Sequence, residues 1–368
     1  MNGSSRRIQT YVLGRSIAGV GVAQAAVGAV VVLVNFVELS RTLGGRVDLT
    51  FLETLALTLL KSPMVILLLL PFVFLFGVMG AFITLNRRSE LVAMRAAGVS
   101  AWRFVLPAAS VAFVIGLIVV AFLNPAAAAL NERFEDRRAA LTEGPSTRSG
   151  QDIWLRQGDD GQQIVIHARS HETAGQIVHL TGVSLFFQRV GPSGVLDVSR
   201  RIEAARAVLA PGSWRLNDVR EAMPGAGSIR SEQLTIPSPL DHRSAMEKLT
   251  APGSVAFWRL PDTIRTAELS GYSAAAYRLR FQQLLATPLL YSAMAVLAAA
   301  FSLRLMRLGN WAGLAGVGVA LGFAVFFAGQ FCSGLSATEV IPPFMAAWTP
   351  PLLALLSGVT LLCYTEDG

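Results

Sequence analysis

The sequence predicts a membrane protein of six transmembrane α-helices, with a β-rich domain inserted between the third and the fourth. Three observations carry this expectation. First, 53% of the 368 residues are hydrophobic, only 15% are charged, and the mean hydropathy is +0.51; a water-soluble core has no use for that much apolar surface. Second, there are six runs of about 18 or more nearly uncharged residues, each long enough to cross a hydrocarbon layer of ~30 Å. Third, residues 125–283 return to soluble composition, and this is one inserted domain's worth of chain. Low charge excludes a disordered protein, and two cysteines exclude a disulfide-stapled scaffold. A net charge of +7, with arginine as all but two of the 31 basic residues, could suggest nucleic acid. The placement of those charges argues for a membrane instead.

The predicted spans are 16–37, 64–85, 104–124, 284–303, 311–333 and 340–363, so the chain divides into 1–124, 125–283 and 284–368. The first run is too long for the apolar core of a signal peptide and continues into polar sequence, so it reads as a retained anchor. Arginine and lysine near span ends are held on the cytoplasmic side. Arg6, Arg7 and Arg15 precede span one, Arg87, Arg88, Arg95 and Arg103 join spans two and three, and Arg304 and Arg307 join spans four and five. The other side has only Arg41, Arg46 and Lys61, which puts both termini in the cytoplasm and the inserted domain outside. Cys332 and Cys363 fall near opposite ends of the last two spans, too far apart to bridge.

From about 150 to 240 the apolar period becomes two, as in Ile164 and Ile166, Val178 and Leu180, and Val183, Leu185 and Phe187. Turn residues at Gly158-Asp159-Asp160-Gly161, Gly191-Pro192 and Pro211-Gly212 separate the runs, predicting short antiparallel strands in a β-sandwich or jellyroll. Residues 125–145 and 255–283 read as helical connectors. Trp154, Phe186, Phe187 and Trp214 read as core packing rather than ligand contact.

A phosphate-cradling loop, G-x-x-x-x-G-K-[ST], can be tested at each lysine, and neither Lys61 nor Lys248 follows a glycine. The chain therefore does not hydrolyse ATP itself. His167, His171 and His179 lie close in sequence beside Glu172 and raise a membrane-anchored, metal-dependent hydrolase as the alternative. The stretch alternates like strand, whereas an i, i+4 histidine pair binds one ion on a helix, so solvent-facing histidines are the simpler reading. A G-x-S-x-G nucleophile elbow is missing from the sequence.

The run Asn86 to Ser100 between spans two and three reads as a short amphipathic helix on the cytoplasmic side. Leu91, Met94 and Arg95 are neighbours on it, Ser89 is placed to cap it and Gly98 to end it. It displays Glu90 among arginines, either as an interfacial anchor or as a docking knob for a separate cytoplasmic protein.

The run Arg88-Ser89-Glu90-Leu91-Val92-Ala93-Met94-Arg95-Ala96-Ala97-Gly98 resembles the coupling helix of the permeases of the lipopolysaccharide export system, the G-type more than the F-type. Pro63 and Pro71 in span two, Gln330 with Gly334 in span five, and Ile341-Pro342-Pro343 with Pro350 in span six agree with it. The resemblance implies a non-catalytic half-transporter in the inner membrane, paired with a second permease on a homodimeric ATP-binding-cassette subunit. ATP and Mg would be bound by that partner, and no cofactor by this chain. Lipopolysaccharide would be extracted and passed, through a periplasmic jellyroll, to a membrane-anchored partner of similar fold. Arg88, Ser89, Glu90, Met94, Arg95 and Gly98 would couple to the ATPase. Arg41, Arg46, Arg133 and Arg137 would meet lipid phosphates, although Arg133 and Arg137 have Glu132, Glu135 and Asp136 as rival partners. The chain departs from the family at Asn35, where a lysine often precedes the phenylalanine. Gly14, Ala18, Gly21, Ala25 and Ala29 give span one a slim side, and Gly318 with Gly322 forms a GxxxG in span five. The resemblance implies that these two spans line lateral seams with the second permease.

Overall fold

A computed structural model describes residues 3–44, 49–142, 153–159, 162–174, 177–190, 196–210, 213–222, 227–238, 255–269, 273–305 and 311–367. They separate into two compact units, one of long helices and one containing the sheet.

The helical unit contains α1 (Gly3–Leu43), α2 (Phe51–Arg87), α3 (Glu90–Ala96) and α4 (Trp102–Ile118), which runs through a π-helical turn at Val119–Leu123 into α5 (Asn124–Thr142), whose residues from Asp136 on belong to the sheet unit. Later in the chain come α6 (Leu260–Leu269), which belongs to the sheet unit, and then α7 (Ala275–Leu305), α8 (Trp311–Ala337) and α9 (Pro343–Asp367). Among the described residues six helices are long and apolar enough to cross a membrane: 7–43, 51–87, 102–138, 275–303, 316–337 and 343–365. The first three begin before and end after the predicted spans, the fourth begins earlier, and the last two end later. The first is 37 residues long where the apolar run suggested 16–37.

α2 starts on a capping box: Thr50 and Glu53 each satisfy the other's backbone N–H, at 2.9 and 3.4 Å. Pro63 and Pro71 lie inside it, which a membrane helix tolerates where neighbouring groups satisfy the freed carbonyls. α1 crosses α2 with backbone on backbone. A Cβ on Gly19 would collide with the Gly77 carbonyl, and one on Gly77 would lie 2.8 Å from the Val20 nitrogen. The core gathers on α7, where every residue from Ala293 to Ala300 is buried. Tyr291 stacks on Phe74 of α2 with ring centres 4.8 Å apart.

In the sheet unit, strands β1 (Ile153–Asp159), β2 (Gln162–Ala174), β3 (Ile177–Val190), β4 (Leu196–Ala210), β5 (Ser213–Ala222) and β6 (Ile229–Pro237) pair antiparallel in chain order. A line of unpaired residues crosses the sheet at Arg169, Gly182, Ala205, Asp218 and Glu232. Gly182 and Asp218 adopt positive φ there. The inward positions change parity at this line, so Val183 and Leu180, three residues apart, are both buried, as are Val219 and Leu216. One half presents the cross-strand row Ile166, Leu185, Ile202, and the other presents Leu180, Ala207, Leu216. Both rows belong to one core. Where a β-sandwich or jellyroll was expected, the described strands form one six-stranded antiparallel meander interrupted along a shared line. Strand crossings of the Greek-key kind are missing among the described residues. Trp214 is fully buried in this core and Phe187 packs against it, while Trp154 has a side chain outside the described residues. Phe186 and Phe187, on opposite faces, carry Arg201 and Arg200 over their rings at 5.3 and 5.1 Å. Arg200 also pairs with Glu221 at 2.6 Å.

Candidate functional site

The stretch after α2 folds as the short helix α3, though its start differs from expectation. Ser89 does not cap α3: it sits at φ 57 without a side-chain cap bond. α2 ends at Arg87, and the tight turn into α3 needs a left-handed residue immediately afterwards. Ser89 fills that position, its N–H donating to the Asn86 carbonyl at 2.7 Å, while its own carbonyl accepts from Ala93 at 3.0 Å. The other end forms a Schellman motif. Gly98 N–H donates to Arg95 O (2.9 Å), Val99 N–H donates to Met94 O (3.1 Å), and Gly98 has φ 77.

Leu91 is buried in the helical core and Met94 packs against it. Arg95 Nη2 donates to the Thr365 carbonyl at the end of α9 at 3.0 Å. Glu90 accepts a 2.7 Å bond from the Tyr11 hydroxyl of α1, which in turn accepts from Arg15 Nε at 3.2 Å. The face left outward displays Arg88, Val92, Ala93 and Ala96, with Val92 59% exposed. The sequence reading missed Val92, Tyr11 and the Thr365 carbonyl. The signal for Tyr11 was available, since a phenol at the end of an apolar span needs a polar partner.

At the other end of α1, Arg41 is exposed in the last turn, and Arg46 lies outside the described residues. One turn before Arg41, Glu38 pairs with Lys61 of α2 at 2.9 Å. Asn35 is buried and donates to Ser62 Oγ at 3.2 Å. Arg133 and Arg137 on α5 are exposed.

The small residues of spans one and five part company. Gly14, Ala18, Gly21, Ala25 and Ala29 are exposed on α1. In contrast, a Cβ on Gly322 would lie 3.0 Å from Phe72 and Leu75, and one on Gly318 would strike Met79, so this GxxxG packs within the chain against α2. The exposed part of α8 is aromatic: Phe323, Phe327 and Phe331 are 49, 63 and 68% exposed.

The three histidines fall on the neighbouring strands β2 and β3, and the side chain of His171 lies outside the described residues. His167 stands opposite Ser184, His171 opposite Leu180 and His179 opposite Glu172. Among the described residues no three His, Cys, Asp or Glu side chains converge. The hydrolase alternative gains no support from the described residues.

Six membrane-crossing helices interrupted by a sheet unit, with a short capped helix between the second and third, define a polytopic permease-type membrane protein. The chain matches the family described as lipopolysaccharide export system permease LptF/LptG over residues 10–364, and it belongs to that family. It is 24% identical over 317 residues to the lipopolysaccharide export system permease protein LptG of Escherichia coli (strain K12), covering 83% of this chain and 84% of that protein. The LptG of Escherichia coli O6:H1 is similar to the same extent. The family makes this a transmembrane permease of lipopolysaccharide transport.

Proposed function

We propose that the chain is the G-type half of an ATP-driven transporter that extracts lipopolysaccharide from the inner membrane and passes it toward the outer membrane. It works with a second, F-type permease on a homodimeric cytoplasmic ATP-binding-cassette subunit. That subunit binds ATP and Mg; this chain holds no cofactor and performs no bond chemistry. Both termini and α3 lie in the cytoplasm, a reading that rests on the arginine distribution. The meander lies in the periplasm and acts as the jellyroll that hands lipid to a membrane-anchored protein of similar fold.

The observation that carries the reading is α3. It is closed at its end by a Schellman motif, anchored by Leu91 and Arg95, and turns Arg88 and Val92 outward, as a docking helix requires. Arg88, Ser89, Glu90, Met94, Arg95 and Gly98 form the coupling unit, with Ser89 and Gly98 setting its ends and Met94 and Arg95 fixing its pose. Nucleotide-driven closure transmits force only if α3 is held differently in the two nucleotide states. The exposed small residues of α1 and the aromatic face of α8 border the seams with the second permease. Arg41, Arg46, Arg133 and Arg137 offer guanidinium forks to lipid phosphates.

Native mass spectrometry after co-expression with the genomic neighbours tests the reading. A particle with two ATPase copies, one different permease and bound lipopolysaccharide is expected, and Glu90→Ala is expected to lose ATP-coupled lipid release. A lone chain, or full release by Glu90→Ala, overturns it.

A further inference from the structure

α1 is held at three heights. At the α3 end, Tyr11 donates to Glu90 at 2.7 Å, and Arg15 both donates to the phenol oxygen at 3.2 Å and lies over the ring at 5.4 Å. Partway along, Gly19 and Gly77 bring the α1 and α2 backbones together. At the far end, Lys61 of α2 holds Glu38 and Ser62 accepts from Asn35. The buried residues of α1 recur at four-residue steps, Val12 and Ser16 near one end and Val31, Asn35, Leu39 and Leu43 near the other, so the buried row winds round the helix along its length. Most of the remaining surface is open, with Val22 72% and Leu33 63% exposed.

A largely open helix with an incompressible crossing between polar ties can rock about that crossing as a lever. At 1.5 Å per residue, Tyr11 stands ~12 Å from Gly19 and Glu38 ~28 Å from it, so a displacement at the α3 end about doubles at the far end.

We propose that Tyr11 is the positioning residue through which α3 moves α1. A shift of α3 draws Glu90, Glu90 draws the Tyr11 phenol, and α1 rocks on the Gly19–Gly77 crossing and works the Asn35–Ser62 and Glu38–Lys61 ties. Arg15 strengthens the link, because a phenol oxygen that accepts from a guanidinium is a better donor to a carboxylate. Glu90 keeps acceptor sites for a cation of a docking partner, since a carboxylate has about four. The same carboxylate can thus face the ATPase and the gate helix at once. The inference rests on the reading of α3 as the ATPase-docking helix.

The test uses the complete transporter reconstituted in nanodiscs, with Cys332→Ser and Cys363→Ser removing native thiols. Thr42→Cys and Leu52→Cys carry spin labels at the exposed far ends of α1 and α2. Electron–electron distances are measured without nucleotide and with nucleotide trapped, and lipid released per ATP is measured in parallel. In the otherwise native chain the label distance changes with nucleotide. Tyr11→Phe keeps the ring under Arg15 but removes a charge-assisted bond, so the distance change is lost and lipid released per ATP falls about tenfold. Complex assembly and ATP hydrolysis persist, an uncoupling that a merely structural role would not produce. A native chain without a distance change, or a Tyr11→Phe chain that keeps both the change and the stoichiometry, overturns the lever. Glu90→Gln separates the two readings. If it leaves assembly, hydrolysis and release intact, the docking role of α3 fails; if it uncouples while Tyr11→Phe does not, only the lever fails.

Discussion

α1 and α7 are both spans, yet they live in different surroundings. The most apolar window of α1 has a mean hydropathy of 2.3 and is 6% buried within the chain, whereas that of α7 has 1.9 and is 67% buried. The more hydrophobic helix is the more exposed one. In lipid, apolarity alone does not draw helices together, because the acyl chains are as apolar as leucine. Small side chains and close backbones decide instead. α7 has a run of alanines flush against its neighbours, with Gly116 of α4 and Gly358 of α9 admitting it: a Cβ on Gly116 would lie 3.2 Å from the Pro288 nitrogen, and one on Gly358 the same distance from the Leu297 nitrogen. α1 turns Gly14, Ala18, Gly21, Ala25 and Ala29 outward, where a second chain can reach them.

The largest effect is expected where α7 has no slack. Ala299→Leu forces a branched side chain into a fully buried site and is expected to cost about 3 kcal/mol, at the upper end for overpacking. Thermal unfolding in detergent reads this as a clear fall in midpoint. Val30→Leu on the open side of α1 is expected to change stability by less than about 0.5 kcal/mol. Comparable losses at the two sites would erase the contrast. Gly14→Leu sharpens it from the other side: the isolated chain keeps its unfolding midpoint, while pairing with the second permease weakens about tenfold, as for loss of a central contact. Phe327→Ala on α8 is expected to act in the same direction, and pull-down with the tagged partner permease measures both.

How much of this was legible in the sequence follows from the same contrast. The six spans could be read because hydropathy is a local sum, and the strands because alternation is local. The wall each span would meet could not be read. The slim side of span one and the GxxxG of span five look alike as patterns, but Gly318 and Gly322 pack on α2 while Gly14 and Gly21 meet nothing. Pattern gives the capacity for close approach, and tertiary arrangement decides which partner takes it. The polar ties were hidden for the same reason. Lys61 and Glu38 are 23 residues apart, and Tyr11 and Glu90 are 79 apart, so neither pair leaves a local signature. Ser89 shows a different limit: its side chain suits an N-cap, but the turn out of α2 claimed its backbone first. In the sheet, the line through Gly182 and Asp218 interrupts the period of two, and that interruption marks where the inward positions change parity.

A smaller effect tests the anchoring of α3. Arg95→Ala removes a hydrogen bond from a charged donor to the Thr365 carbonyl, expected to cost about 2 kcal/mol locally. Amide exchange over residues 90–97 should quicken while α7 stays protected. Uniform quickening would mean that α3 is part of one cooperative unit with the bundle.

The smallest effect concerns the open end of α1. Arg41 is exposed in the last turn of its helix, where a cation already gains from the helix dipole, so an anchor that touches no substrate would look the same. The two roles differ in chemistry. An anchor needs only a charge and an aliphatic stem, whereas a phosphate partner gains from a planar fork that lysine lacks. Arg41→Ala with Arg46→Ala is therefore expected to lower lipid crosslinking from a photoreactive residue at position 37 about threefold, because an exposed pair is worth no more than about 1 kcal/mol. Arg41→Lys should fall between native and the double alanine, and the difference should shrink as salt screens the pair. If lysine matches arginine at every salt concentration, Arg41 holds the helix end at the membrane surface, and lipid recognition moves to the exposed Arg133 and Arg137.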